Sequence, residues 1–301
     1  MKLSILTLLF IASSLLVMSV KNEKHIMPPL PPKPKPIAFE LSPLPTLKNS
    51  ASFPVVSAEG VLAVDADSGV VLYEKDSNQK LYPASTTKIM TALVSLDYYK
   101  DDDVITIGRL NVLGQKMKLA EGERIYFKDL FSGLLIYSAN DAAEVLAENY
   151  PGGREAFIAT MNQKATNMHL ENTHFVNPTG LDEDNHYSTA KDMIRLSEIA
   201  MQNEKFANTV KTKELIVRSI ENKFVHYLTN INILLGKVDG VMGIKTGWTE
   251  EARENLVTYI QRENKKVYIA LLGSQDRFGE TKELIDWIYT SYDWKDLAYS
   301  P

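Results

Sequence analysis

Apolar and polar positions follow three rhythms along the chain, and each predicts a different kind of structure. Residues 3–20 are uncharged and mostly apolar, with Lys2 before them and Lys21, Glu23 and Lys24 after; a basic residue, an apolar run and a polar flank make the layout of an export segment. At about 1.5 Å per residue the run would span roughly 27 Å as a helix, a little short of the ~30 Å hydrocarbon layer. The small residues Ala12-Ser13-Ser14, a candidate cleavage site, lie inside the run rather than after it. Residues 1–22 are therefore expected to be a signal peptide or, in preference, an N-terminal membrane anchor. The second rhythm is that of Pro28-Pro29-Leu30-Pro31-Pro32-Lys33-Pro34-Lys35-Pro36, which lacks the N–H groups a helix or sheet needs and reads as an extended spacer. Residues 23–55 are assigned to a Pro-rich linker.

From Gly60 the pattern is that of a packed domain, assigned to 56–301. Val61 to Asp67, a Ser68-Gly69 turn and Val70 to Glu74 read as a β-hairpin. After Pro83, Ile89, Ala92, Leu93 and Leu96 recur at helical spacing while Met90 and Val94 fill the other faces, so this helix is apolar nearly all round and is expected to be buried. Val104 to Ile107 reads as a short strand, and Phe127 to Tyr137, Asp141 to Asn149, Arg154 to Met168 and Thr189 to Met201 as helices, the last with Thr189 and Asp192 spaced for a capping box. Val241 to Gly247, Asn255 to Ile260 and Lys266 to Gly273 read as strands and Glu280 to Tyr292 as a closing helix. Strands at both ends with helices between them imply an α+β fold: one antiparallel sheet assembled from the two termini, covered by helices, with a mainly helical insertion.

Charge and composition narrow the chemistry. A net charge of -5 without a long basic block argues against nucleic acid as a partner. The absence of cysteine removes disulfides, thiolate metal sites and thiol catalysis together, and the five histidines form no His-x-His or His-Glu-x-x-His pair, so neither a metal nor another cofactor is expected.

Within the buried helix, Ser85 and Lys88 stand three residues apart and therefore on one face. Serine and lysine at this spacing are common by composition alone, and Ser77–Lys80 and Ser188–Lys191 repeat it, the first in a polar loop and the second on an amphipathic helix. Only Lys88 would be desolvated, and a lysine must lose its proton before it can act as a base; burial lowers its pKa far enough to allow that. Lys88 could then activate Ser85, whose place at a helix start offers backbone N–H groups to a developing oxyanion. Two further elements follow in order, Ser138-Ala139-Asn140 after the Phe127 helix and Lys245-Thr246-Gly247 on a strand. Lys-Thr-Gly alone would read as an edge strand with a glycine bulge.

Taken together, Ser-x-x-Lys, Ser-x-Asn and Lys-Thr-Gly resemble the motifs of the penicillin-binding serine acyltransferases. The surrounding stretches Tyr82–Ala92, Leu134–Ala143, Asn172–Phe175, Asn177–Asp182, His186–Met193 and Gly243–Thr249 are similar to those of the D-alanyl-D-alanine carboxypeptidases, the S11 peptidases, over roughly Gly60 to Tyr292. The resemblance implies a β-lactamase/transpeptidase-like fold and removal of the terminal D-alanine from peptidoglycan stem peptides, with β-lactams as covalent inhibitors. It implies that Ser85 is the nucleophile, Lys88 the base and Ser138 the proton relay to the leaving amine. Asn140 would hold the substrate amide and the lysine in register, Lys245, Thr246 and Gly247 would bind the terminal carboxylate end, and the backbone N–H groups of Ser85 and Trp248 would form the oxyanion hole. It also implies an exported protein working at the outer face of a bacterial membrane or in the envelope. Because the chain ends soon after Tyr292, the N-terminal segment, if uncleaved, is the expected membrane attachment.

Three departures from the family pattern accompany the match: Ala139 where glycine is common, Arg253 where the pattern reads Glu-Ala-Gly, and the missing β-rich second domain. If the position of Arg253 needs a glycine-only conformation, the turn beside the oxyanion strand is expected to differ. A class A β-lactamase would need Glu-x-x-Leu-Asn, yet the only Leu-Asn pair, Leu110-Asn111, has Ile107 at the glutamate position. An endopeptidase acting on cross-linked peptides would use the same residues, and a silent wall-binding homologue is the reading that Arg253 would favour.

Overall fold

The computed structural model describes residues 42–48 and 51–296. The export segment and the proline spacer of residues 28–36 lie outside the described residues. Among those described, no helix is long and apolar enough to cross a membrane.

The fold is organised by a five-stranded sheet in the order β3-β2-β10-β9-β8. It takes β2 (Gly60–Asp65) and β3 (Val71–Lys75) from the early chain and β8 (Val241–Thr249), β9 (Arg253–Arg262) and β10 (Lys265–Ser274) from the late chain, with every pairing antiparallel. The alternation of strand side chains explains why the sheet has two covered faces. Val61, Ala63, Val267, Ile269 and Leu271 point to one side, where they pack with Leu284, Ile285 and Ile288 of the closing helix, Arg277–Ser291. Leu62, Val64, Ala270 and Leu272 point to the other and join a core shared with the inserted helices. Each valine, leucine or isoleucine among these contributes about 1.5–3 kcal/mol on burial, so slipping β2 or β10 by one residue would exchange the two cores and is strongly opposed.

The insertion contains α1 (Lys88–Tyr98), α2 (Phe127–Ile136), α3 (Asn140–Glu148), α4 (Gly153–Asn167), α5 (Ala190–Met201) and α6 (Glu204–Val210); the closing helix is α7. Two small hairpins border it, β4 (Val104–Thr106) with β5 (Arg124–Tyr126) and β6 (Glu214–Arg218) with β7 (Val225–Thr229). The helix that carries the serine motif is nearly all buried, as its apolar faces require. Its first turn differs from expectation: Ala84–Thr87 is a 3₁₀ turn and the α-helix begins at Lys88, so Ser85 stands one turn before the helix proper.

Several elements were not legible as sequence patterns. Leu44–Leu47, inside the stretch assigned to the linker, forms β1 and pairs antiparallel with Tyr292–Lys295 (β11), so sheet structure begins before residue 56. The capping box at Thr189 is only half formed. Thr189 Oγ1 accepts the Asp192 N–H at 3.0 Å, but the Asp192 carboxylate instead accepts from the Asn172 N–H and the Thr173 hydroxyl.

Candidate active site

The 3₁₀ turn is held from three sides. Thr86 Oγ1 donates to the Pro83 carbonyl at 2.6 Å, and Asn255 on β9 donates to the Tyr82 carbonyl at 2.9 Å. β8 passes so close that a Cβ at Gly247 would lie 3.0 Å from both Ala84 Cβ and the Pro83 carbonyl oxygen. On the far side Gly180, at φ +86°, leaves even less room, since a Cβ there would fall 1.8 Å from the Ala84 carbonyl oxygen. Ala84 itself has φ 47°, a conformation unfavourable for a residue with a Cβ that is maintained by its fully packed surroundings.

This clamping puts Lys88 Nζ 2.8 Å from Ser85 Oγ and 2.7 Å from the Thr179 carbonyl oxygen. The Thr179 loop is rigid because Asn177 Oδ1 accepts from the Thr179 N–H, the Thr179 hydroxyl and the Gly180 N–H, while the Pro178 carbonyl accepts from Thr91. Lys88 is completely buried. Burial lowers its pKa to about 7, against the opposing pull of Glu144 and Asp141. An amine in this condition exists half as free base near neutrality and is in contact with the hydroxyl it would deprotonate.

Facing Ser85 is a cleft of ≈ 560 Å³ lined by Ser85, Ser138, Asn140, Thr246, Trp248 and Arg277. Ser138 closes α2 with φ 60° and begins the turn into α3, which sets its hydroxyl into the cleft rather than along a helix. Ser138 Oγ, Asn140 Oδ1 and Thr246 Oγ1 are buried without a hydrogen-bond partner. Three such atoms around one cleft are costly unless something fills their valences, and a polar ligand seated there would do so. β8 is an edge strand, so its outer backbone groups are available to an extended peptide on this side.

Two expected details differ. The Asn140 side chain does not hold the lysine: its Nδ2 donates to the Leu113 carbonyl at 2.8 Å, and the Thr179 carbonyl takes that part instead. Lys245 is buried and donates to its neighbour's carbonyl, Thr246 O, at 3.0 Å. Burial, then Lys88, then Arg277 depress its pKa well below the usual lysine range.

Sequence reasoning missed Arg277, which donates to the Gly247 carbonyl at 2.7 Å and lines the cleft beside Thr246; a lone arginine at the start of a helix carries no motif. It also missed the work of His186. Its Nδ1 faces the Val176 N–H at 3.1 Å and must accept, so the proton sits on Nε2 and is donated to Thr87 Oγ1 at 2.9 Å. Burial, with His174 and Lys88 adding to it, pushes His186 down to about 4, which keeps the ring neutral. The turn at Arg253 keeps the glycine-favouring conformation, φ 54°, with the arginine in it and its guanidinium 3.2 Å from Glu59.

Comparison with known proteins bears on the family and the fold. The sequence profile of peptidase S11, described as D-alanyl-D-alanine carboxypeptidase, matches residues 47–276. D-alanyl-D-alanine carboxypeptidase DacF of Bacillus subtilis is 35% identical over 247 residues, 78% of this chain and 63% of that protein. The D-alanyl-D-alanine carboxypeptidase of Streptomyces sp. K15 is 33% identical over 239 residues, 73% of this chain and 82% of that one. The crystal structure of the Streptomyces K15 DD-transpeptidase superposes with a TM-score of 0.76 at 30% identity, covering 79% of this chain and 99% of that one. The chain spans 63% of the length of DacF and of the Escherichia coli carboxypeptidase DacD.

Proposed function

The chain belongs to the peptidase S11 family of D-alanyl-D-alanine carboxypeptidases, and from that premise we propose that it removes the terminal D-alanine from peptidoglycan stem peptides through an acyl-enzyme on Ser85. The observation that carries the reading is the 2.8 Å contact between Ser85 Oγ and a wholly buried Lys88 whose pKa lies near 7.

Lys88 takes the Ser85 proton as Oγ attacks the carbonyl carbon of the penultimate D-alanine. The oxyanion that forms is met by the backbone N–H groups of Ser85 and Trp248. Ser138 gives its hydroxyl proton to the amide nitrogen as the C–N bond breaks and takes in exchange the proton that Lys88 had accepted, so free D-alanine leaves and Lys88 is again a free amine. Water then attacks the ester, Lys88 again accepting a proton, and the shortened peptide and Ser85 hydroxyl are regenerated. Asn140 holds the substrate amide, and Lys245, Thr246 and Gly247 form the carboxylate end of the site. Arg277 adds a permanent cation there, useful because Lys245 is held below its usual pKa. None of these steps calls for a cofactor.

The wall peptide is the substrate and β-lactams are covalent inhibitors that acylate Ser85 in its place. Wall peptides lie outside the cytoplasm, and residues 1–22 supply the export signal or anchor. Incubation with a labelled penicillin, followed by mass spectrometry, tests the reading: an adduct on Ser85 that is lost in Ser85→Ala is expected. No adduct on the wild-type protein would sink it, and rapid release of hydrolysed drug would favour a lactamase.

A further inference from the structure

Between the motif at Ser138 and the β6–β7 hairpin lies a buried pair of titratable groups that the reaction above does not use. His226 on β7 faces the Met117 carbonyl oxygen with Nδ1 at 2.9 Å and a Glu123 carboxylate oxygen with Nε2 at 2.7 Å. Both side chains are buried, and the second Glu123 oxygen accepts the Ala120 N–H at 3.0 Å. A carbonyl oxygen only accepts. A neutral ring protonated on Nδ1 would turn a lone pair on the carboxylate, and one protonated on Nε2 would turn a lone pair on the carbonyl. Both contacts are satisfied together when Nδ1–H donates to the carbonyl and a further proton lies between Nε2 and the Glu123 carboxyl, on either partner.

What the pair holds is the rim of the cleft. Residues 113–119 carry Gly114 and Gln115, which line the cleft, and their backbone supports the second motif: the Leu113 carbonyl accepts from Asn140 Nδ2 and the Gln115 carbonyl from the Asn140 N–H at 2.7 Å. Asp141 fixes the segment from one side by accepting the N–H groups of Met117, Lys118 and Leu119. His226 fixes it from the other, at the one carbonyl it reaches. We propose that His226 is a positioning residue for substrate binding: by bridging the Met117 carbonyl and Glu123 it fastens the 113–119 rim to the hairpin, and loss of that bridge slackens the rim and the seat of Asn140.

The groups that act on this ring are few. Glu123 is in contact with it, and Asp129 on α2 lies within electrostatic reach. Lys116 and Lys118 on the rim share a groove with His226, Tyr137 and Tyr227. Asp141 is already satisfied by backbone N–H groups, including that of Ala142.

The proposal rests on the acyl-enzyme reading for its kinetic consequence but not for its geometry, so two measurements separate them. The first is amide hydrogen exchange of residues 113–119 in the full chain, expected to be about tenfold faster in His226→Leu than in the wild type. The second is the KM for a D-Ala-D-Ala peptide, expected to rise about threefold to tenfold in His226→Leu while kcat changes less than about twofold, and to be largely restored in His226→Gln, whose amide can still donate to the Met117 carbonyl. Unchanged exchange in residues 113–119, or a KM in His226→Leu within about twofold of the wild type, would overturn the proposal. If His226→Leu fails to fold, the same two measurements on Glu123→Gln, which removes the carboxylate at nearly constant shape, decide. If penicillin leaves Ser85 unmodified, the acyl-enzyme reading falls while the exchange result stands.

Discussion

The two walls of the cleft are built on opposite principles. On the nucleophile side nearly every polar atom is already paired: Lys88 with Ser85 and Thr179, Asn177 with its own loop, Thr86 with Pro83, His186 with Thr87 and Val176. On the opposite side Ser138, Asn140 and Thr246 each present a buried atom with no partner. The difference separates two tasks. The base that takes the nucleophile's proton must be in place before the substrate arrives, because reorganisation during the reaction raises the barrier. A group that recognises the substrate must be left unsatisfied, so that its hydrogen bond is gained only on binding.

The comparison breaks most completely at Lys88. Lys88→Arg keeps a cation in the same cavity but cannot be deprotonated, and its rate of acylation by penicillin is expected to fall by about 10⁴-fold, at the upper end for a proton-transfer group. A circular-dichroism spectrum like that of the wild type would show that the fold survives; near-normal acylation would remove Lys88 as the base. Gly180→Ala attacks the same wall through its packing. The added methyl would collide with the Ala84 carbonyl and the backbone is at φ +86°, so the turn must shift, and a displacement of about 1 Å costs on the order of a hundredfold in rate. Stopped-flow acylation would measure it, and a rate within twofold of wild type would show that the clamp is unnecessary.

Acidification reaches the nucleophile side without mutation. With Lys88 lowered to about 7 by burial, the amine is protonated below that pH and cannot accept the serine proton; above it, it is free. Acylation is therefore expected to rise with pH through 7 and level off, standing about tenfold lower at pH 6 than on the plateau. A flat profile between about pH 5 and 8 would show that the titrating base is another group.

The recognition side gives a gentler break. Thr246→Val removes one unpartnered hydroxyl at nearly constant shape, so the substrate loses a hydrogen bond while the free protein loses none. kcat/KM for a D-Ala-D-Ala peptide is expected to fall about tenfold, with the melting temperature unchanged or slightly higher. A large drop in melting temperature would mean that the hydroxyl serves folding rather than recognition.

This asymmetry also decides what the sequence disclosed. The serine, lysine and three motif positions were legible because each is a side chain whose chemistry is tied to a spacing, and the central sheet was legible because β2 and β10 alternate between two cores. The Thr179 carbonyl, which takes the second hydrogen bond of Lys88, was not, since a backbone atom has no residue type. Arg277 and His226 reach their partners from elements remote in the chain, across 30 and 109 positions respectively. Residues 44–47 were hidden because Pro45 lies in a two-stranded pair with β11, where a missing N–H can be tolerated.

The smallest effect is expected at Arg253, the departure from the family pattern that raised most concern. A residue with a Cβ in the left-handed region is strained by about 1 kcal/mol relative to glycine, but glycine costs more backbone entropy on folding by roughly 0.5–1 kcal/mol. The exposed pair with Glu59, 3.2 Å apart and about half accessible on both sides, adds little because solvent screens it. These terms nearly cancel, so Arg253→Gly should change the unfolding free energy in urea by no more than about 1 kcal/mol. Because β8 already follows its register with β9 through Thr249↔Arg253 with arginine in place, acylation should change less than about twofold. A gain of tenfold or more on introducing glycine would show that the arginine distorts the oxyanion strand, and that the rigid wall of the cleft extends further along β8 than its hydrogen bonds indicate.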